Sequence, residues 1–111
     1  MNNTKEKKKM NYFLGKDLDA DVLERVSQTF KALGDPTRIR ILSLLAREEC
    51  AVNQVADALQ LSQSAVSHQL KTLRAYRFVR YRREGQNILY ICDDAYILEL
   101  LNEAVRYAIE Q

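Results

Sequence analysis

A chain of 111 residues is sized for one domain, and 47% apolar against 29% charged residues excludes wholesale disorder. Its longest apolar run, around 39–46, is broken by Arg40 and Ser43, so no membrane-spanning segment is expected. The net charge of +2 says little about partners, but it is unevenly spread: between Ala58 and Arg83 stand six basic residues and no acidic one, leaving 11 basic and 15 acidic residues for the rest.

Residues 1–17 read as a flexible basic N-terminal arm, with Lys5, Lys7, Lys8 and Lys9 and few apolar anchors. The arm lacks the apolar stretch of a secretory leader, so a cytoplasmic protein is expected. One folded domain is expected over 18–111. Asp19 precedes Val22, Val26, Phe30 and Leu33, an apolar stripe at helical spacing that stops at Gly34. Asp35 and Pro36 then open a second helix, the aspartate as N-cap and the proline at the first turn, where its missing N–H is harmless. Ile39, Ile41, Leu42, Leu44 and Leu45 make that helix apolar on more than one side, as a central helix should be, and Glu48 and Glu49 close it.

A short third helix over 52–59 turns Val55, Ala56 and Leu59 inward, and Gln60, Leu61 and Ser62 connect it to a fourth. Ser62 is the expected N-cap. Val66, Leu70 and Leu73 then form an i, i+4, i+7 stripe, which leaves Gln63, Ser64, Ser67, His68 and Lys71 on other faces. After Tyr76 the period shifts from 3.6 to 2, through Arg80, Arg82 and Arg83, a turn at Glu84, Gly85 and Gln86, and a β-rich stretch over 88–92. Asp93 and Asp94 give an acidic start to a last helix whose Ile97, Leu101, Ala104 and Ala108 form a seam suited to a partner helix.

The order ααααββα, mainly helical with a β-hairpin wing (α+β), is that of a winged helix-turn-helix. A helix fits the major groove, and side chains near its N-terminus meet base edges; Gln63, Ser64, Ser67, His68 and Gln69 are expected there, with Gln63 the first choice for adenine. Lys71, Arg74 and Arg77, with Arg80, Arg82 and Arg83 on the hairpin, are expected on the phosphate backbone, where they set affinity and register, and Gln86 at the hairpin tip is a further expected DNA contact. A solvated helix face is the competing reading of such a charge run. The expected partners are double-stranded DNA and a second copy of the chain.

Three strings carry a family resemblance: Phe-Lys-Ala-Leu-Gly-Asp-Pro-Thr-Arg-Ile-Arg-Ile-Leu at 30–42, Leu-Ser-Gln-Ser-Ala-Val-Ser-His-Gln-Leu-Lys at 61–71 and Arg-Arg-Glu-Gly-Gln at 82–86. The chain resembles the ArsR/SmtB family of bacterial repressors, most of all its zinc- and cobalt-sensing branch. The resemblance implies a homodimer built on the first and last helices that binds a palindromic operator and releases it to an inducer, a metal ion or another stress signal. It also implies a metal site on the last helix at Asp94, Tyr96, Tyr107 and Glu110. The carboxylates match the pattern, but phenols stand where the family has imidazoles, so the site reads as degenerate and no cofactor is assigned. Packing at the dimer interface accounts for Tyr96 and Tyr107, a helix cap for Asp94, and solvent exposure for Glu110.

Cys50 and Cys92 have no C-x-x-C spacing, and His68 is the only imidazole, which argues against a disulfide framework or a zinc finger. A repressor responsive to sulfur species through Cys50 and Cys92 is an alternative, as is a non-sensing DNA-binding or protein-interaction module. An enzyme is not expected: no nucleophile has a recognisable base, and the three glycines form no phosphate loop.

Overall fold

The structure, a computed structural model, describes residues 17–111; the basic arm expected over 1–17 lies, apart from Asp17, outside them. The elements are α1 (Ala20–Leu33), α2 (Pro36–Arg47), α3 (Val52–Leu59), α4 (Gln63–Ala75), β1 (Arg80–Glu84), β2 (Asn87–Ile91) and α5 (Ala95–Glu110). The described residues divide into two compact units, 17–31 and 32–111.

In the first unit α1 opens where the Asp19 carboxylate accepts from the Asp21 N–H. Its surface carries an Arg25–Asp21 ion pair at 2.9 Å and a Gln28–Glu24 hydrogen bond, both one turn apart. Val22, Val26 and Phe30 of the anticipated stripe are exposed in this single chain.

The second unit holds the core. The N-caps are those expected from sequence: Asp35 accepts from Thr37 N at 3.0 Å, Ser62 from Ala65 N at 3.0 Å, and Asp94 from Tyr96 N at 2.9 Å and Ile97 N at 3.1 Å. Ile41, Leu42 and Leu45 of α2 meet Val55 and Ala56 of α3 and Val66, Leu70 and Leu73 of α4 in one buried cluster, each large aliphatic contributing about 1.5–3 kcal/mol. Ile39 is the member of the α2 set left at the surface.

Both ends of the helix-turn-helix close in the same way. Leu61 N–H donates to Ala56 O at 2.9 Å with Gln60 in the left-handed region at φ 59°, and Phe78 N–H donates to Leu73 O at 3.0 Å with Arg77 at φ 63°. Each is the helix stop that usually carries glycine at the left-handed position. Phe78 and Val79 are buried ahead of the hairpin, so the strand begins at Arg80, later than the onset of period-2 spacing suggested.

The hairpin pairs β1 with β2 from Arg80 opposite Ile91 to Glu84 opposite Asn87, and Gly85 takes φ +64° in the two-residue turn. A further backbone pairing, outside the hairpin, was not anticipated. Cys50, between α2 and α3, pairs with Tyr90 through N–H···O bonds of 3.1 and 2.8 Å in the two directions, and Cys92 N–H donates to Leu45 O at 3.1 Å. The wing is thereby joined to the core at its base.

Candidate nucleic-acid interface

The recognition helix α4 turns Val66, Leu70 and Leu73 into the core, and Gln63, Ser64, Ser67, His68, Lys71 and Arg74 are exposed. Gln63 also lines an open cleft of about 530 Å³ with Asn53 of α3 and Gln86 and Asn87 of the wing. The first turn of the recognition helix and the tip of the wing thus share one carboxamide-lined concavity, in which Asn53 is an addition to the expected set. Carboxamides both donate and accept, the capacity that reading base edges requires.

The basic residues divide into two groups. All six are exposed, but Arg74, Arg80 and Arg82 are engaged by other side chains of the fold, whereas Lys71, Arg77 and Arg83 face solvent. Arg74 lies over the Tyr81 ring, 4.2 Å from its centroid, so the helix cation is packed on the wing. Arg80 forks onto Asp93, its Nε 3.0 and 3.1 Å from the two carboxylate oxygens. Arg82 forks onto Glu49, Nε donating to Oε2 at 2.8 Å and Nη2 to Oε1 at 2.7 Å, with Glu84 further off at 3.4 Å. These hydrogen bonds hold the Asp93 and Glu49 carboxyls below their ordinary range. Neither acid was foreseen as part of the site, because 13 residues separate Arg80 from Asp93 and 33 separate Arg82 from Glu49.

Gln69 differs from its neighbours on α4. It is half-buried, accepts at Oε1 from Arg38 Nε at 2.9 Å and donates from Nε2 toward Asp35 Oδ2 at 3.4 Å. The structure therefore separates it from the exposed set to which sequence reasoning assigned it.

On α5 the four positions of the expected metal site have other occupations. Asp94 caps the helix, Tyr96 and Tyr107 are 86% and 72% exposed, and Glu110 lies 3.9 Å from Arg106. Among the described residues no three or more His, Cys, Asp or Glu side chains gather as a metal-binding group. A phenol, with an ordinary pKa near 10, must lose its proton before it binds zinc well, so this donor set does not fit the ion as two imidazoles would. Cys50 and Cys92 are both buried. Burial pushes the Cys50 thiol up, and pushes Cys92 up to about 11. Both are protonated at neutral pH, and the thiolate is the reactive form.

A capped helix-turn-helix with a polar recognition helix beside a basic hairpin is a winged helix-turn-helix DNA-binding domain. The fold matches the homodimeric winged helix-turn-helix DNA-binding domain of Mb0332 from Mycobacterium bovis with a TM-score of 0.77 at 31% identity, covering 86% of this chain and 89% of that one. It matches NolR from Sinorhizobium fredii with a TM-score of 0.76 at 32% identity, covering 83% and 95%. Residues 35–81 match the family described as bacterial regulatory protein, arsR family. The chain is 41% identical over 93 residues to the transcriptional repressor SmtB homolog of Synechocystis sp., covering 84% of this chain and 70% of that protein. It is 37% identical over 91 residues to the HTH-type transcriptional regulator NmtR of Mycobacterium tuberculosis, covering 82% and 76%. The chain belongs to the ArsR family of bacterial regulatory proteins. No described helix is long and apolar enough to cross a membrane.

Proposed function

We propose that the protein is a homodimeric transcriptional repressor that binds a palindromic DNA operator and is released from it by an inducer. The observation that carries this reading is the exposed polar face of α4, from Gln63 to Lys71, beside a wing with which it shares a carboxamide-lined cleft. Gln63, Ser64, Ser67 and His68 meet base edges. Lys71, Arg77 and Arg83 hold phosphates, while Arg80 and Arg82 reach phosphate only by giving up Asp93 and Glu49 for it.

The dimer is supported by apolar surface that one chain leaves uncovered. Leu98, Leu101 and Val105 of α5 line a groove of about 290 Å³ with Leu42 and Ala46 of α2, and Val105, Tyr107 and Ile109 are exposed. Two-fold symmetry would set paired recognition helices one DNA turn apart.

The inducer acts outside the interface. A metal ion is a coherent choice within a family that includes a cadmium resistance regulatory protein homolog of Staphylococcus aureus, 36% identical over 90 residues. The phenols on α5 argue against zinc bound at Asp94, Tyr96, Tyr107 and Glu110. The test is fluorescence titration of a labelled duplex from the gene's own upstream region, with zinc, cobalt, cadmium, copper, peroxide and polysulfide added separately. Tighter binding to that duplex than to a scrambled one is expected, with no release by zinc; equal binding to both would end the repressor reading, and release by zinc would overturn the argument from the phenols.

A further inference from the structure

We propose that Gln69 is a positioning residue that, with Arg38 and Asp35, sets the rotation of the recognition helix about its own axis and touches no base. The inference rests on the DNA-binding reading above and assigns a part of the molecule that reading leaves unused.

Helix geometry comes first. At 100° per residue, a position two residues away lies about 160° around the helix, so Gln69 faces away from both Ser67 and Lys71. Its neighbour Leu70 is in the core, which places Gln69 on the flank of α4 opposite the exposed polar face. A side chain there cannot enter the groove that Ser67 faces.

The partners come next. Arg38 Nε donates to Gln69 Oε1 at 2.9 Å and lies 3.5 Å from Asp35 Oδ2, while Gln69 Nε2 reaches the same Asp35 oxygen at 3.4 Å. The triangle is anchored to backbone on two sides: Arg38 Nη1 donates to Ala32 O at 3.1 Å, and Asp35 Oδ1 accepts from Thr37 N at 3.0 Å. The Arg38 and Asp35 side chains are 22% and 32% exposed, against 65% and 46% for Arg80 and Asp93, so water competes less for this pair than for the wing pair. The Arg38 guanidinium is committed to the carboxamide, the carboxylate and a carbonyl together.

Such a clamp matters because the core contacts of α4 are aliphatic. Val66, Leu70 and Leu73 resist separation of the helix from the core but specify its roll weakly, since dispersion contacts are non-directional. Hydrogen bonds are directional. At about 6 Å from the helix axis, a roll of about 15° moves a side-chain tip by about 1.5 Å. That displacement exceeds the whole width of the 2.7–3.2 Å window in which hydrogen bonds to a base edge form. Holding the roll therefore preserves sequence preference, while phosphate contacts by long flexible cations tolerate the movement.

The experiment uses the full chain, the tightest duplex it selects from a random-sequence pool, and a scrambled duplex, with affinities measured by anisotropy across a salt series at a temperature where circular dichroism shows each variant folded. Gln69→Ala is expected to weaken binding to the selected duplex about fivefold to tenfold, evenly across single base-pair changes, with scrambled-duplex affinity and salt slope unchanged. Arg38→Met should do the same, and the double variant should be no worse than the weaker single, because both break one clamp. A purely structural role would lower the melting temperature without moving the ratio of selected to scrambled affinity. If Gln69→Ala fails to fold, Gln69→Met keeps the bulk, loses the hydrogen bonds and carries the same test. An unchanged ratio, a loss of preference confined to one base pair, or additive single effects would each overturn the proposal. A parent protein that does not discriminate between the duplexes would instead sink the DNA-reading assignment on which the proposal rests.

Discussion

The guanidinium of Arg82 and the carboxylate of Glu49 meet as two parallel hydrogen bonds, 2.8 and 2.7 Å long, across 33 residues of sequence. In the domain proposed to grip DNA, a wing arginine is thus already neutralised by its own protein. Removing a phosphate contact lowers the slope of log affinity against log salt by about 0.9, whereas removing an arginine that stays paired to a carboxylate leaves the slope alone. Arg82→Ala is therefore expected to leave the slope unchanged, and Glu49→Ala, by freeing Arg82, to steepen it by about 0.9. Affinity measured from low to moderate salt checks both; a flatter slope for Arg82→Ala would mean that phosphate displaces Glu49 in the complex.

Gln60 and Arg77 hold left-handed backbone, at φ 59° and 63°, at the ends of α3 and α4. A side chain there costs about 1–2 kcal/mol, and glycine returns part of that gain through its greater freedom in the unfolded chain. Gln60→Gly and Arg77→Gly should each stabilise the fold by about 0.5–1 kcal/mol in urea unfolding. The two separate on DNA: only Arg77→Gly, which loses a proposed phosphate contact, should flatten the salt slope.

Asp94 accepts from two N–H groups at the start of α5. Asp94→Ala should cost about 1 kcal/mol of stability, and Asp94→Asn much less, because an asparagine oxygen still caps. Asp94→Asn also discards a carboxylate without disturbing the helix. A duplex-release response to any metal ion that persists in that variant does not depend on a charge at Asp94.

The Cys92 thiol, pushed by burial from an ordinary 9.0 up to about 11, makes stability depend on alkaline pH. Well below pH 9 the thiol is protonated in both folded and unfolded chains and the linkage is silent. As pH rises from about 9 to about 11 the unfolded chain ionises first, so stability is lost across that window, by an amount on the order of 2–3 kcal/mol. Unfolding free energies of the parent and Cys92→Ala should therefore converge or cross as pH is raised. A constant difference from pH 8 to pH 11 would show that the thiol is not shielded. The same shielding predicts that peroxide leaves both thiols intact at neutral pH, as thiol counting by mass spectrometry would reveal.

These relationships mark where sequence reasoning ends. The caps at Asp35, Ser62 and Asp94 and the stripe of Val66, Leu70 and Leu73 were legible because each is decided within a turn or two of helix. The turn at Gly85 was legible because its positive φ favours one residue type. Partner choice was not legible. Arg38, Arg80 and Arg82 look alike in sequence, and what distinguishes them is which carboxylate or carboxamide the fold brings within 3 Å. Gln69 was grouped with Ser67 and His68 by adjacency, yet adjacent helical residues point about 100° apart. Of the expected interface, Gln63, Ser64, Ser67, His68, Lys71, Arg77, Arg83 and Gln86 stand exposed without a side-chain partner among the described residues, while Gln69, Arg74, Arg80 and Arg82 are engaged within the chain.

The rung between Cys50 and Tyr90 gives the wing two regimes of motion. Its base is hydrogen-bonded to a segment anchored by buried Leu45 and Val55, so opening it exposes core. Its tip beyond Arg83 and Ile88 has only the hairpin's own bonds. Amide exchange at Cys50, Tyr90 and Cys92 should therefore track global unfolding, while the amides of Gly85 and Gln86 exchange by local fraying. A hairpin stiff at the root and loose at the end can follow a DNA backbone without surrendering its seat on the segment between α2 and α3.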